Sequence, residues 1–284
     1  MLKYEYNDTI EFLEIEPKYL QEGLSYARVK GCSKIRLKNL LGNSSLKSNG
    51  ELKADFSFFK DGFFVTDLMI SEDVKIDNLD GIYYLKELVF LSCEQKLPLN
   101  FSFLKNLETL YIKYDKRFVG FNSLKKLKNV LVNSLNENDC RIFTGMSTIL
   151  KLRLTGNFIT LNGIEDIKNL NDLKVSYSPK LIDMNNINEL DYLSSLHVEK
   201  CKGISDFSFL SENKSIKNLF LSEVDSVDFV KNMGSLEDIS FWNLKNGNLE
   251  PLLNCNSLRK VYFYPDKKNY NYKLKDFLIL LNSH

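Results

Sequence analysis

The 284-residue chain is 44% hydrophobic and 26% charged with a formal net charge of +1, the balance of a globular protein with ample chain to bury a core. Near-neutral charge without a basic block leaves no footprint for nucleic acid or an anionic membrane. No run of about 18 apolar residues is present to span a membrane, and five scattered cysteines without a C-x-x-C pair fit reduced thiols.

The N-terminus, YEYNDTIEFLEI (4–15), alternates apolar and polar residues on either side of Asn7-Asp8 and predicts a hairpin. It has neither the basic region nor the continuous apolar stretch of a secretion signal, so a cytoplasmic location is expected. In EPKYLQEGLSYARVKG (16–31), Pro17 marks a helix start and Gly31 its stop, with Leu20, Leu24 and Ala27 on one face.

One unit is then written many times. Aligned on L-x-x-L-x-L, the copies are CSKIRL (32–37), VTDLMI (65–70), LKELVF (85–90), LETLYI (107–112), LKNVLV (127–132) and ILKLRL (149–154). They continue with LNDLKV (170–175), LSSLHV (193–198), IKNLFL (216–221), LEDISF (236–241) and LRKVYF (258–263). From residue 68 onward the central apolar position recurs every 20–23 residues, which is the signature of a solenoid. The interval of 33 before it places a loop-like insertion at about 42–62.

Within a copy the last two apolar residues alternate with polar ones, as in a half-buried strand. Such a strand cannot cover its apolar side alone, so the copies must stack as a parallel sheet over a continuous core. The return legs have another period: Leu161, Ile164, Ile167 and Leu170 are three apart, as are Met184, Ile187, Leu190 and Leu193. That spacing suits a 3₁₀ turn, in which side chains at i and i+3 eclipse. Other legs carry phenylalanine, as in DFSFF (55–59), NFSFL (100–104) and DFSFL (206–210). The tail LKDFLILLNSH (274–284) predicts a short closing helix.

This pattern resembles the leucine-rich repeat family, in particular the short bacterial class of about 22 residues per unit seen in internalin-like proteins. The resemblance covers residues 32–265. It implies an α/β solenoid with a curved parallel β-sheet on the concave face and 3₁₀ or turn segments on the convex face. The expected organisation is a single domain over 1–284. A hairpin-plus-helix cap (1–31) leads about eleven repeats (32–265), and a short helical cap (266–284) closes them. The family's turn position after the strand, usually Asn or Cys, is irregular here: Asp73, Cys93, Asp115, Leu135, Asn157, Ser178, Cys201, Val224, Leu244 and Asp266. Cys93 and Cys201 on that position, and Cys32 in place of a leading Leu, are expected to be buried small apolar groups.

Catalytic constellations are nearly absent. His197 is the one histidine inside the repeats, the other being the terminal His284, and no phosphate-cradling glycine loop occurs. No cofactor, metal or catalytic activity is expected.

The face of the sheet that points away from the core is more informative. The fifth positions of the repeats carry Arg36, Met69, Val89, Tyr111, Leu131, Arg153, Lys174, His197, Phe220, Ser240 and Tyr262. The seventh carry Lys38, Ser71, Leu91, Lys113, Asn133, Thr155, Ser176, Glu199, Ser222, Trp242 and Tyr264. Tyr114 falls just past its strand and is expected at the rim. Aromatics and Arg are the residues enriched in binding hot spots. Tyr111, Arg153, Lys174, His197, Phe220, Trp242, Tyr262 and Tyr264 are therefore the candidate contact residues for another protein. The competing reading is that rings on neighbouring strands cover each other, since strands favour aromatics anyway. A near-neutral binder of this type resembles bacterial immunity proteins, which occlude a toxin. The alternatives are a regulatory or scaffolding subunit that holds a cellular protein and, more remotely, an enzyme with an unrecognised site.

Overall fold

Alternation and stacking decide the architecture. The computed structural model describes residues 2–40 and 52–281, which fall into two compact units, Met1–Lys128 and Asn129–His284. Residues 42–51 of the expected insertion lie outside the described residues.

The first unit opens with β1 (Tyr4–Asn7) and β2 (Phe12–Ile15), antiparallel as the Asn7-Asp8 turn requires. Pro17 begins a 3₁₀ turn that leads into α1 (Leu20–Lys30), and Gly31 closes it in the left-handed conformation, its N–H reaching the Ala27 and Arg28 carbonyls. Leu20, Leu24 and Ala27 are buried beneath it. Then come β3 (Lys34–Leu37), β4 (Lys53–Asp55), β5 (Asp67–Ile70), β6 (Lys75–Asp77), β7 (Phe90–Cys93) and β8 (Thr109–Lys113). The order is β1-β2-β3-β5-β7-β8, with β4 and β6 forming a separate parallel pair.

The second unit holds β9 (Asn129–Leu135), β10 (Lys151–Gly156), β11 (Asp172–Ser176), β12 (Ser195–Glu199), β13 (Asn218–Val224), β14 (Asp238–Leu244), the short α2 (Glu250–Leu253), β15 (Lys260–Phe263) and α3 (Leu274–Leu281). Its seven strands are parallel and in chain order. Val130, Leu152, Leu173, Leu196, Leu219, Ile239 and Val261 stand in one register and are all buried. With six strands from the first unit, the fold has thirteen strands of mostly parallel sheet, joined by 3₁₀ turns and closed by helical caps. Among the described residues no helix is long and apolar enough to cross a membrane.

Three Phe-containing return legs start by one device. The side chain at the head of each accepts the N–H two residues on: Asp55 from Ser57 at 2.9 Å, Asn100 from Ser102 at 3.1 Å, Asp206 from Ser208 at 2.9 Å. This Asx turn bends the chain out of the strand layer and leaves Phe56, Phe101 and Phe207 pointing into the core. In the second unit Leu161, Ile164, Ile167 and Leu170 are fully buried, as their three-residue spacing predicts.

Three expectations need correction. Leu88 is buried, but the residue in register with Leu68 and Leu110 is Leu91. The exposed-face positions of β7 are therefore Phe90 and Ser92, and Leu91 is core. Cys93 in turn is the last inward residue of that strand, in register with Ile70 and Ile112, not a turn residue. Tyr114 is buried rather than at the rim, its ring 5.8 Å from Phe118 in an edge-on arrangement. The turn after β8 folds it inward, where its large apolar area is worth more than at the surface.

Cys93, Cys140, Cys201 and Cys255 are buried free thiols, whereas Cys32, expected to be buried, is partly exposed at the start of its repeat, a fourth correction. Burial pushes the Cys93 thiol up to about 11 and raises those of Cys140 and Cys201, which keeps them protonated and unreactive. Dithiothreitol should accordingly leave the melting temperature unchanged, and a maleimide should label Cys32 alone in the native protein. A melting temperature that drops on reduction would contradict both the free thiols and the cytoplasmic expectation.

Candidate functional site

The exposed sheet face of the second unit carries a continuous strip of side chains across four strands. Its polar end is on β11 and β12. Lys174 Nζ lies 3.4 Å from Glu199 Oε2, and His197 Nε2 is 3.1 Å from the same oxygen. A carboxylate only accepts, so in the neutral imidazole the Nε2–H donates to it. The apolar end begins on the far side of the same imidazole. The His197 ring is stacked on Phe220 of β13, centroids 4.1 Å apart and planes within 17°. Phe220 meets Trp242 of β14 edge-on at 5.2 Å and 81°. The strip thus passes from charge to aromatic surface through one histidine.

Register explains the arrangement. Lys174, His197 and Phe220 are direct cross-strand neighbours, and Glu199 and Trp242 stand two residues further along their strands on the same face. Burial against these neighbours lowers the His197 pKa below its usual value, an effect that the Glu199 hydrogen bond partly offsets. For Glu199 burial pushes upward, but hydrogen bonds from His197 and Lys174 outweigh it, and its pKa falls below the usual carboxylate range. At neutral pH the pair is therefore a neutral imidazole on an ionised carboxylate.

A pH titration checks this. The His197 imidazole resonance is expected to titrate below about 6.5, the unperturbed value. Glu199→Gln should move it lower still, because the carboxylate is what favours the imidazolium. By linkage, a histidine with a depressed folded pKa withdraws stability as pH falls from the unfolded value toward the folded one. His197→Gln should flatten the stability profile in that window. A wild-type titration above about 6.5 would contradict the geometry.

The β15 aromatics stand apart from the strip. Tyr262 is in register with Ser240, whose short side chain separates it from Phe220. The result is a groove of about 540 Å³ bounded by His197, Phe220, Ser240, Arg259, Tyr262 and, from α3, Leu278. Tyr262 is 56% exposed, Tyr264 67% and Trp242 40%, and neither tyrosine has a ring partner among the described residues. The C-terminal cap leaves both tyrosines open while burying Phe263 and Phe277 behind them. His197 and Phe220 cover each other, whereas Trp242, Tyr262 and Tyr264 keep large surfaces in solvent.

Arg153, also exposed, sits on β10 opposite Lys174. Tyr111 belongs to the first unit, on the exposed face of β8, edge-on to Phe90 at 5.6 Å. Glu199 and Leu278 join the site without having been candidates by sequence. Glu199 was legible as an acid two residues after His197 on one strand face, whereas nothing in the repeat pattern points to Leu278. Among the described residues no group of three His, Cys, Asp or Glu is placed to hold a metal ion.

No protein-family profile and no curated protein sequence matches the chain. Solved structures do. An internalin of Listeria monocytogenes is 12% identical, matching over 87% of this chain and 76% of its own with a TM-score of 0.54. A leucine-rich repeat protein of Leptospira interrogans is 15% identical, matching over 92% of this chain and 75% of its own with a TM-score of 0.56. With the repeat register and the 3₁₀ return legs, these likenesses identify the fold as a leucine-rich repeat solenoid like those of the internalin and the Leptospira protein.

Proposed function

We propose that this protein is a non-catalytic, cytoplasmic binding module that grips another protein through the exposed sheet face of its second unit. The partner in this reading is a toxin or effector that the module silences by occlusion. The observation that carries it is the aromatic surface of Phe220 and Trp242 with Tyr262 and Tyr264 across the groove. Rings left 40–67% open on β14, on β15 and just past its end offer the area and rigidity that hot spots use. Five unpaired thiols, four of them buried, support the cytoplasmic part, and the face offers contact area rather than a nucleophile with an activating base.

The test is capture from host lysate on immobilised wild-type protein and on Trp242→Ala. One or more proteins should be retained by the wild type and lost from the variant. Co-expression of the wild type, but not of Trp242→Ala, should relieve growth arrest caused by the captured protein. A captured cellular enzyme that is harmless when expressed would replace occlusion of a toxin by a regulatory role. Equal retention by both proteins would remove the face from the account.

A further inference from the structure

Beside the aromatic strip lies a second depression, of about 470 Å³, where β10, β11 and β12 end. Two features of it are unfavourable in the free protein. Arg153 and Lys174 are direct cross-strand partners, and like charges so placed repel. Glu199 neutralises Lys174, but Arg153 has no ion-pair partner among the described residues and faces the apolar Leu131 on its other side. The second feature is Ser176, only 5% exposed, whose hydroxyl Oγ finds no hydrogen-bond partner. A buried polar group left unpaired costs stability unless something satisfies it.

The rim is fixed rather than loose. Tyr177 and Lys200 both hold left-handed backbone conformations, φ +49° and +52°, which non-glycine residues adopt only when the surroundings enforce them. The Lys200 ammonium sits 4.8 Å from the centre of the Tyr177 ring and donates to its hydroxyl at 3.1 Å. Ser134 holds the same conformation at the same place in its repeat, so the turn recurs after these strands.

We propose that this depression receives the carboxylate of an Asp or Glu side chain from the bound protein partner. The planar guanidinium of Arg153 offers a carboxylate two parallel N–H donors, and a turn of the Ser176 side chain, whose oxygen is closed to solvent in the free protein, gives that hydroxyl the acceptor it lacks. Charge selects an anion. Arg153, Lys174 and Glu199 on the lining sum to one positive charge, and the Lys200 ammonium on Tyr177 adds another at the rim. A neutral amide would leave Arg153 uncompensated. The assignment rests on the protein-binding reading and makes it more specific: the partner presents an acidic side chain next to the group that sits on Trp242.

A random peptide library displayed on phage, panned separately on wild type, Arg153→Glu, Arg153→Gln and Trp242→Ala, tests both levels apart. Wild type should enrich peptides with Asp or Glu at a fixed spacing from an apolar anchor. A synthetic peptide of that sequence should lose about tenfold in affinity when its acid becomes the amide, and about tenfold on Arg153→Gln. Arg153→Glu should select peptides with Lys or Arg at the same spacing. Both Arg153 variants should melt at or slightly above the wild type, because the exposed side chain loses only its repulsion from Lys174. An acidic preference unchanged in Arg153→Glu would overturn the carboxylate assignment while leaving the binding face intact. Displacement of the peptide by inorganic phosphate as readily as by free glutamate would overturn it too. Recovery of the same peptides by Trp242→Ala as by wild type would instead sink the binding face, and with it the occupant.

Discussion

Leu152→Ala and Leu173→Ala are each expected to destabilise the protein by about 2–5 kcal/mol, the range for emptying a well-packed leucine site. Both side chains are completely buried and stand opposite each other on β10 and β11, with Val130 and Leu196 in register on either side. A repeat contacts only its neighbours, so a cavity here weakens two interfaces at once. Relaxation is restricted because the flanking strands are pinned by their own ladder. The two sites touch and should not add independently, the double variant departing from the sum of the singles. Chemical denaturation measures all three, and losses below about half a kcal/mol at both single sites would contradict the inward register. Lys113→Ala, on the exposed face of β8, should change little, since its ion pair is with the well-exposed Glu72.

Trp242→Ala has the larger expected effect on binding. The indole is 40% exposed and anchored by the edge-on contact with Phe220, so the fold has little invested in it. Loss of one aromatic pair is worth about 0.5–1.5 kcal/mol and should move the melting temperature by only a few degrees. The loss in binding should be about 2 kcal/mol or more, roughly thirtyfold, because a large ring at the centre of a contact carries a disproportionate share of the energy. Phe220→Ala should lower both stability and binding, since its ring supports His197 on one side and Trp242 on the other. Tyr111→Ala, in the other unit, should weaken binding less. If Trp242→Ala unfolds the protein while the folded fraction binds normally, the ring is structural and the assignment fails.

The repeat period makes most of the fold legible in the amino-acid sequence, because burial on one side of a stacked sheet demands a leucine at nearly constant spacing. Where leucines are too frequent, the period stops being decisive. LKELVFLSC (85–93) fits the template both as Leu85-Leu88-Phe90 and as Leu88-Leu91-Cys93, and only pairing with Leu68 and Leu110 selects the second. Tyr114 shows a different limit. Past the end of a strand, alternation no longer says which way a side chain points, and the turn that carries Asp115, Arg117 and Phe118 decides it. On the candidate site, alternation placed His197, Phe220 and Trp242 on the correct face. Their contacts depend on register and rotamer, and so does the division between rings that cover each other and rings that stay open. The groove beside Tyr262 depends on Leu278 of the closing helix, which no period relates to the repeats.

Trp242 is the only tryptophan in the chain, so its emission reports on the candidate site without any label. Adding the captured partner, or a tryptophan-free version of it, to the folded protein should shift the emission to shorter wavelength and protect it from acrylamide quenching. The change should saturate at the same concentration as binding measured by calorimetry. Calorimetric binding that leaves the emission and its quenching unchanged would place the contact elsewhere and contradict the account.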